Sequence, residues 1–243
     1  TCTFPKAHYS KTARFFNSTI MATKEAAINV WKNADAVCFD VDSTVCCDEG
    51  LDELAKYCGV ADKVKEWTNK AMGGSVSFRE SFRSRLEIVK PSTQTMKSFV
   101  ESHPVQLSPS VKELVNKLHE SGCNVYLVSG GMVEIIEPVA KLLNVPLSNV
   151  FANRLKYYFN GEYAGFDEDC PTSESGGKPR VIKELKQKFG YKKVVMIGDG
   201  VTDMEASPPA DAFVGYGGNV VRPKVEENSA WFVTDFKEMM DEL

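Results

Sequence analysis

Four short segments of this chain carry side chains able to bind or transfer a phosphoryl group, and three of them directly follow apolar runs. Asp40-Val41-Asp42 comes first. In an extended segment, residues two apart project to one side, so both carboxylates can face a single pocket. There they could share acid–base work, or one could act as a nucleophile. Alternatively, Asp42 caps a helix, or both acids lie on a solvated turn. Ser129-Gly130-Gly131 offers a hydroxyl and flexible backbone amides at an expected helix start, which suits an anion and is equally an ordinary turn. Gly176-Gly177-Lys178-Pro179 puts an ammonium at another helix start. Because Thr172 replaces the first glycine and Pro179 follows the lysine, it is not a Walker A loop. Gly198-Asp199-Gly200 with Asp203 adds two further acids. Asp40, Asp42, Asp199 and Asp203 repel one another unless a cation joins them, and hard oxygen ligands suit Mg²⁺. With Lys178 and Ser129 opposite, this set matches what phosphoryl transfer to an aspartate demands.

The elements that must position these groups follow a β-then-α rhythm. Ala36–Phe39, Asn124–Val128, Lys193–Ile197 and Ala212–Val214 read as strands, each running into turn residues. Val111, Leu114, Val115 and Leu118 form a helical stripe that Gly122 ends. Pro179, Val181, Ile182, Leu185 and Phe189 form another, stopped by Gly190. The alternation predicts an α/β fold: a parallel sheet between two layers of helices. Residues 49–104 break the rhythm with helical stripes only, such as Leu51, Leu54, Ala55 and Phe78, Phe82, Leu86. They are expected to form a lid over the carboxyl edge of the sheet. Asn160-Gly161, flanked by aromatics, predicts a β-hairpin flap whose tight turn uses both residues at positive φ. Pro138 is expected to kink the Met132–Leu143 helix or delay its start.

Composition narrows the function classes. The 243 residues carry 29 Lys+Arg against 33 Asp+Glu, a net charge of −4, with no basic block, which argues against nucleic acid as the main partner. With 43% hydrophobic residues the chain can build a core, and 26% charge with 10% aromatics excludes a disordered polyelectrolyte. No run reaches the ~18 apolar residues of a membrane span, so a soluble protein without a membrane partner is expected. The seven cysteines form no C-x-x-C pair, and the three histidines stand apart from them. Disulfides and zinc are not expected, and a reducing, cytoplasmic setting is. Residues 1–29 are set aside as a basic, Ser/Thr-rich leader, either a transit-like peptide implying organellar import or a tail without function. A dinucleotide fold is disfavoured because Gly215-Tyr216-Gly217-Gly218 lacks the third glycine of G-x-G-x-x-G.

Taken together, Asp-Val-Asp-Ser-Thr (40–44), Ser-Gly-Gly (129–131), Lys178 and Gly-Asp-Gly-x-x-Asp (198–203) resemble the haloacid dehalogenase superfamily in order and spacing. Within it, Asp-Glu-Gly-Leu-Asp-Glu-Leu-Ala (48–55), Ala-Met-Gly-Gly-Ser-Val (71–76) and Phe-Ala-Asn-Arg-Leu (151–155) are similar to the phosphoserine phosphatases. The resemblance covers roughly residues 30–240. It implies a Rossmann-like three-layer core at 30–48 and 105–243, and a helical cap at 49–104 that sets substrate specificity.

The implied activity is Mg²⁺-dependent hydrolysis of O-phospho-L-serine to L-serine and phosphate, by a monomer or homodimer. In the implied roles, Asp40 takes the phosphoryl group and Asp42 is the general acid and base. The metal is held by the Asp40 and Asp199 carboxylates and the Asp42 carbonyl. Ser129, Gly130, Gly131 and Lys178 bind phosphoryl oxygens, and Asp203 orients the lysine or metal waters. Glu49 meets the substrate ammonium and Arg85 its carboxylate, with Met72, Gly73, Phe78 and Thr202 completing the cavity. The alternatives are a related enzyme acting on another small phosphomonoester or passing the group to a second acceptor, and a phospho-ligand-binding module without turnover. The presence of both Asp40 and Asp42 disfavours the last.

Overall fold

The run Ala36–Phe39 (β1) is buried at every residue, as a central strand covered on both faces must be. The computed structural model describes residues 23–72 and 76–243. It surrounds β1 with β2 (Asn124–Met132), β3 (Val150–Asn153), β6 (Val194–Gly198), β7 (Ala212–Tyr216) and β8 (Trp231–Val233). Together they form a parallel six-stranded sheet in the order β3-β2-β1-β6-β7-β8. A separate antiparallel pair, β4 (Leu155–Tyr157) and β5 (Tyr163–Phe166), forms the flap.

Strand alternation divides the core in two. Val37, Phe39, Leu127, Ile197 and Val214 face one helical layer: α1 (Lys24–Trp31), α6 (Val111–Glu120), α7 (Val133–Leu142) and α11 (Lys237–Met240). Cys38, Tyr126, Val128 and Met196 face the other, which comprises α8 (Gly177–Phe189), α9 (Val201–Met204) and α10 (Pro223–Asn228). Between β1 and β2 come α2 (Gly50–Tyr57), α3 (Ala61–Met72), α4 (Phe78–Val89) and α5 (Thr93–Ser102). Their apolar stripes form a third core. Leu54, Val64, Phe82, Leu86 and Phe99 pack together with Met132 at the end of β2 and with Leu155 and Phe166 of the flap. The expected α/β architecture with a helical insert is therefore present.

Several expectations needed correction. Residues 24–29, assigned to the leader, belong to α1, capped by the Thr23 side chain and docked through Ala27 and Trp31. A basic, Ser/Thr-rich composition hid two apolar positions one turn apart. The remainder of the proposed leader, residues 1–22, lies outside the described residues. Of the Asn160-Gly161 pair only Gly161 has positive φ (+85°), and its N–H closes a turn on the Tyr158 carbonyl. The connection is thus a turn followed by a left-handed glycine, and not the expected two-residue loop. α7 starts at Val133 and runs through Pro138, so the proline does not delay it. β3 and β8, the two edge strands of the sheet, were not anticipated.

Candidate active site

Register explains why distant motifs meet. Phe39 pairs with Leu127 on one side and Ile197 on the other, so Asp40 emerges between Ser129 and Asp199, each two residues beyond its paired position. This is the carboxyl edge of the sheet, where open α/β folds bind ligands. Asp40, Asp199 and Asp203 are all buried, with one carboxylate oxygen from each within 4.8 Å of the others. Lys178 joins them: its Nζ donates to Asp40 Oδ1 and Asp203 Oδ1, both at 2.5 Å.

Asp42 departs from the cluster of four acids that spacing alone suggested. Its Oδ1 accepts the Gly50 N–H at 2.7 Å, and its Oδ2 accepts the Ser129 hydroxyl at 3.3 Å. The cause is local: the extended run ends at Asp40 and the backbone turns through Val41–Val45, with Ser43 left-handed (φ 56°), so the two carboxylates no longer share one side of a strand. Asp40 and Asp42 therefore sit in different surroundings. Burial raises the Asp40 carboxyl well above the usual range, and the Asp203 charge adds to this against the pull of Lys178. Burial also raises Asp42, opposed by the Gly50 amide and Lys178, and burial raises Asp203 against Lys178. Burial disfavours the Lys178 charge, but Asp203 and Asp40 outweigh it and hold the ammonium protonated.

The Ser-Gly-Gly segment differs from expectation too. β2 continues through Met132, so Ser129–Gly131 lie in the strand's irregular end and not at a helix start. Gly131 N–H donates to Ser129 Oγ at 2.9 Å. A Cβ on Gly131 would come within 3.0 Å of Asp42 Oδ2, and one on Gly130 within 2.7 Å of the Phe78 ring. Phe78, the first residue of α4, thus closes over this segment.

Around the acids, Thr44 Oγ1 donates to Asp199 Oδ1 at 3.1 Å. Arg222 was missed by sequence reasoning. Its Nε donates to Asp199 Oδ2 at 2.6 Å and its Nη2 to Glu49 Oε1 at 3.2 Å, which links the acid cluster to the rim. Its one sequence signal is position, just beyond the glycine-rich end of β7. Glu49 also accepts the Ser43 hydroxyl at 2.9 Å. Burial, then the Asp42 charge, pushes its carboxyl up to about 7. Arg85 is half-buried; its Nε reaches the Ser81 carbonyl at 3.4 Å, and it forms no ion pair among the described residues. Burial lowers its pKa, while Asp52, Glu49 and Asp42 oppose that. Thr202 is exposed on α9. Met72 ends α3, and Gly73 lies outside the described residues.

The donor set fits a divalent cation. Three buried carboxylates converge, the Lys178 ammonium and the Arg222 guanidinium together still leave them one positive charge short, and each oxygen already bonded to a donor keeps a second lone pair. Among the described residues, no helix is long and apolar enough to cross a membrane.

Comparison with known proteins agrees with this geometry. The model of the haloacid dehalogenase-like hydrolases matches residues 34–211. The phosphoserine phosphatase of Homo sapiens is 58% identical over 211 residues, 87% of this chain and 94% of its own. A phosphoserine phosphohydrolase-like protein from Francisella tularensis superposes with TM-score 0.75 at 30% identity, covering 85% of this chain and 98% of its own. The DsGPDH structure from Dunaliella salina superposes with TM-score 0.79 at 34% identity over 89% of this chain, which spans 37% of that protein's length. This chain belongs to the haloacid dehalogenase-like hydrolases, within their phosphoserine phosphatase family.

Proposed function

We propose that the chain hydrolyses O-phospho-L-serine to L-serine and phosphate in two steps through an aspartyl phosphate on Asp40. The observation that carries this reading is the separation of two neighbouring carboxylates into distinct surroundings. Asp40 lies in the acid cluster on Lys178, and Asp42 lies against Ser129 and the Gly50 amide. In the first step an Asp40 oxygen attacks phosphorus and the bond from phosphorus to the serine oxygen breaks. Asp42, whose carboxyl burial raises above its usual range, gives its proton to that leaving oxygen. In the second step water attacks the phosphorus of the acyl phosphate, Asp42 takes up its proton, and phosphate leaves with Asp40 restored. General acid help of this kind contributes about 10²–10⁴-fold.

Lys178, Ser129 and the Gly130–Gly131 amides receive the phosphoryl oxygens. Asp203 holds the lysine between itself and Asp40. The Asp40 and Asp199 carboxylates and the Asp42 carbonyl would hold Mg²⁺, which when bound offsets negative charge on the transferring group. Glu49 receives the substrate ammonium in place of its bond to Arg222, and Arg85, which has no ion pair among the described residues, receives the carboxylate. Phe78, Met72, Gly73 and Thr202 complete the cavity, and the helical insert at 49–104 serves as the specificity cap over the core.

A phosphate-release assay across small phosphomonoesters, with and without Mg²⁺, tests the proposal. Phosphoserine should be preferred, and chelation should silence turnover until Mg²⁺ is restored. Equal rates on unrelated phosphomonoesters, or undiminished metal-free hydrolysis, would refute it. Arg85→Ala should lower kcat/KM for phosphoserine by about 10²-fold while sparing an aryl phosphate; equal losses on both would reject a carboxylate role.

Glu49 adds a pH dependence. With its free-enzyme pKa at about 7, the carboxylate that meets the ammonium is lost as pH falls below that value. For phosphoserine, kcat/KM should therefore rise with pH through about 7, and this limb should vanish for Glu49→Gln and for an aryl phosphate lacking an ammonium. An identical limb for both substrates in the wild-type protein would assign it to another group.

A further inference from the structure

Asn153, in the Phe-Ala-Asn-Arg-Leu segment, is a fully buried polar residue to which the proposed chemistry gives no part. It ends β3 at 0% exposure, and its side chain is bonded through both polar atoms. Its Nδ2 donates to the Gly130 carbonyl at 2.8 Å and to the Thr172 carbonyl at 3.4 Å, while its Oδ1 accepts the Thr172 hydroxyl at 3.0 Å. Because two carbonyl oxygens can be met only by the amino group, the amide has a single satisfactory orientation.

The bond to Gly130 has a consequence for its neighbour. The Gly130 C=O and the Gly131 N–H belong to one trans peptide and point in opposite directions. The Gly131 N–H is directed at Ser129 Oγ, which in turn donates to Asp42. Two consecutive glycines offer little intrinsic resistance to rotation of this peptide. Side chains cannot supply the stiffness, since a Cβ at 130 would strike Phe78 and one at 131 would crowd Asp42 Oδ2. The restraint has to come from outside the segment, and Asn153 provides it from the adjacent strand.

We infer that Asn153, itself held by Thr172, is a positioning residue that fixes the 130–131 peptide so that the Gly131 N–H meets a phosphoryl oxygen. This rests on the reading of Ser129–Gly131 as phosphoryl-binding, and the test separates the two. The uniformly ¹⁵N-labelled full chain is titrated with inorganic phosphate in the presence of Mg²⁺, following the Gly131 amide resonance and the phosphate affinity.

In the wild-type protein the resonance should move on saturation; no response there would refute the phosphoryl reading and this inference with it. Asn153→Asp replaces the donor with an oxygen facing the Gly130 carbonyl. It should weaken phosphate binding by about tenfold or more and abolish the Gly131 response. It should also lower kcat equally for phosphoserine and an aryl phosphate, because the phosphoryl group is common to both. Thr172→Val, which removes only the hydroxyl, should give a smaller loss in the same direction, and Thr172→Ser should restore both readouts. A folded Asn153→Asp protein with wild-type phosphate affinity and Gly131 response would overturn the inference. If that variant does not fold, a wild-type response in Thr172→Val would overturn it instead. Failure of the wild-type protein to hydrolyse phosphoserine would refute the substrate assignment alone, since the titration uses only inorganic phosphate.

Discussion

Replacing Asp40 with asparagine should lower turnover by about 10⁴–10⁶-fold, the scale on which removal of a covalent nucleophile is felt. The amide keeps the shape of the side chain but lacks an oxygen able to attack phosphorus. The fold should survive. Asp40 is a buried carboxylate raised by desolvation and by the Asp203 charge, so neutralising it relieves repulsion, while Lys178 keeps its bond to Asp203. Thermal unfolding should give a midpoint no lower than wild type, and rapid quench of the wild-type enzyme with labelled phosphoserine should place the label on Asp40. A rate near wild type in Asp40→Asn, or label on a different residue, would remove Asp40 from the chemistry.

Lys178→Met should be the most destabilising substitution in the site. Methionine has a similar length but no charge, so it leaves the buried Asp40 and Asp203 without their shared ammonium. Breaking a buried pair by removing one partner costs about 3–5 kcal/mol. Turnover should also fall by about 10²–10³-fold, as for loss of one charge-stabilising donor.

The sign of the pH dependence follows from linkage. Burial already raises both carboxyls above their unfolded values, and without the lysine nothing opposes it. The folded variant then holds protons that the unfolded chain releases, so its stability declines as pH rises above the unfolded carboxylate range. Denaturant titrations of the metal-free protein at pH 5 and pH 8 should show a larger deficit, relative to wild type, at pH 8. An equal deficit at both would mean that lost packing, and not charge, dominates.

Most of the sheet was legible because strands buried on both faces leave short apolar runs with turn residues behind them. β1 was read to the residue, and β2, β6 and β7 to within a few. β8 escaped because Trp231–Val233 is only three residues long, and β3 because Val150–Asn153 ends on a polar side chain that suggests a turn. The flap's location followed from Asn160-Gly161, but its turn type depended on which residues took positive φ, and dipeptide preference alone did not decide that.

The chain's local pattern determined which chemistry is available. Asp40, Asp42, Ser129, Lys178, Asp199 and Asp203 stand beside strand ends or helix starts, and a parallel sheet collects its strand ends at one edge. Tertiary structure decided how that chemistry is divided. The turn at Val41–Val45 set Asp42 against Gly50 and Ser129, apart from the other acids. Arg222 reached Glu49 across 173 residues, and Asn153 reached back 23 residues to Gly130. The physical reason is range: propensity and periodicity act over a few neighbouring residues, whereas the direction of a buried carboxylate or amide is set by whichever donors the packed chain brings against it.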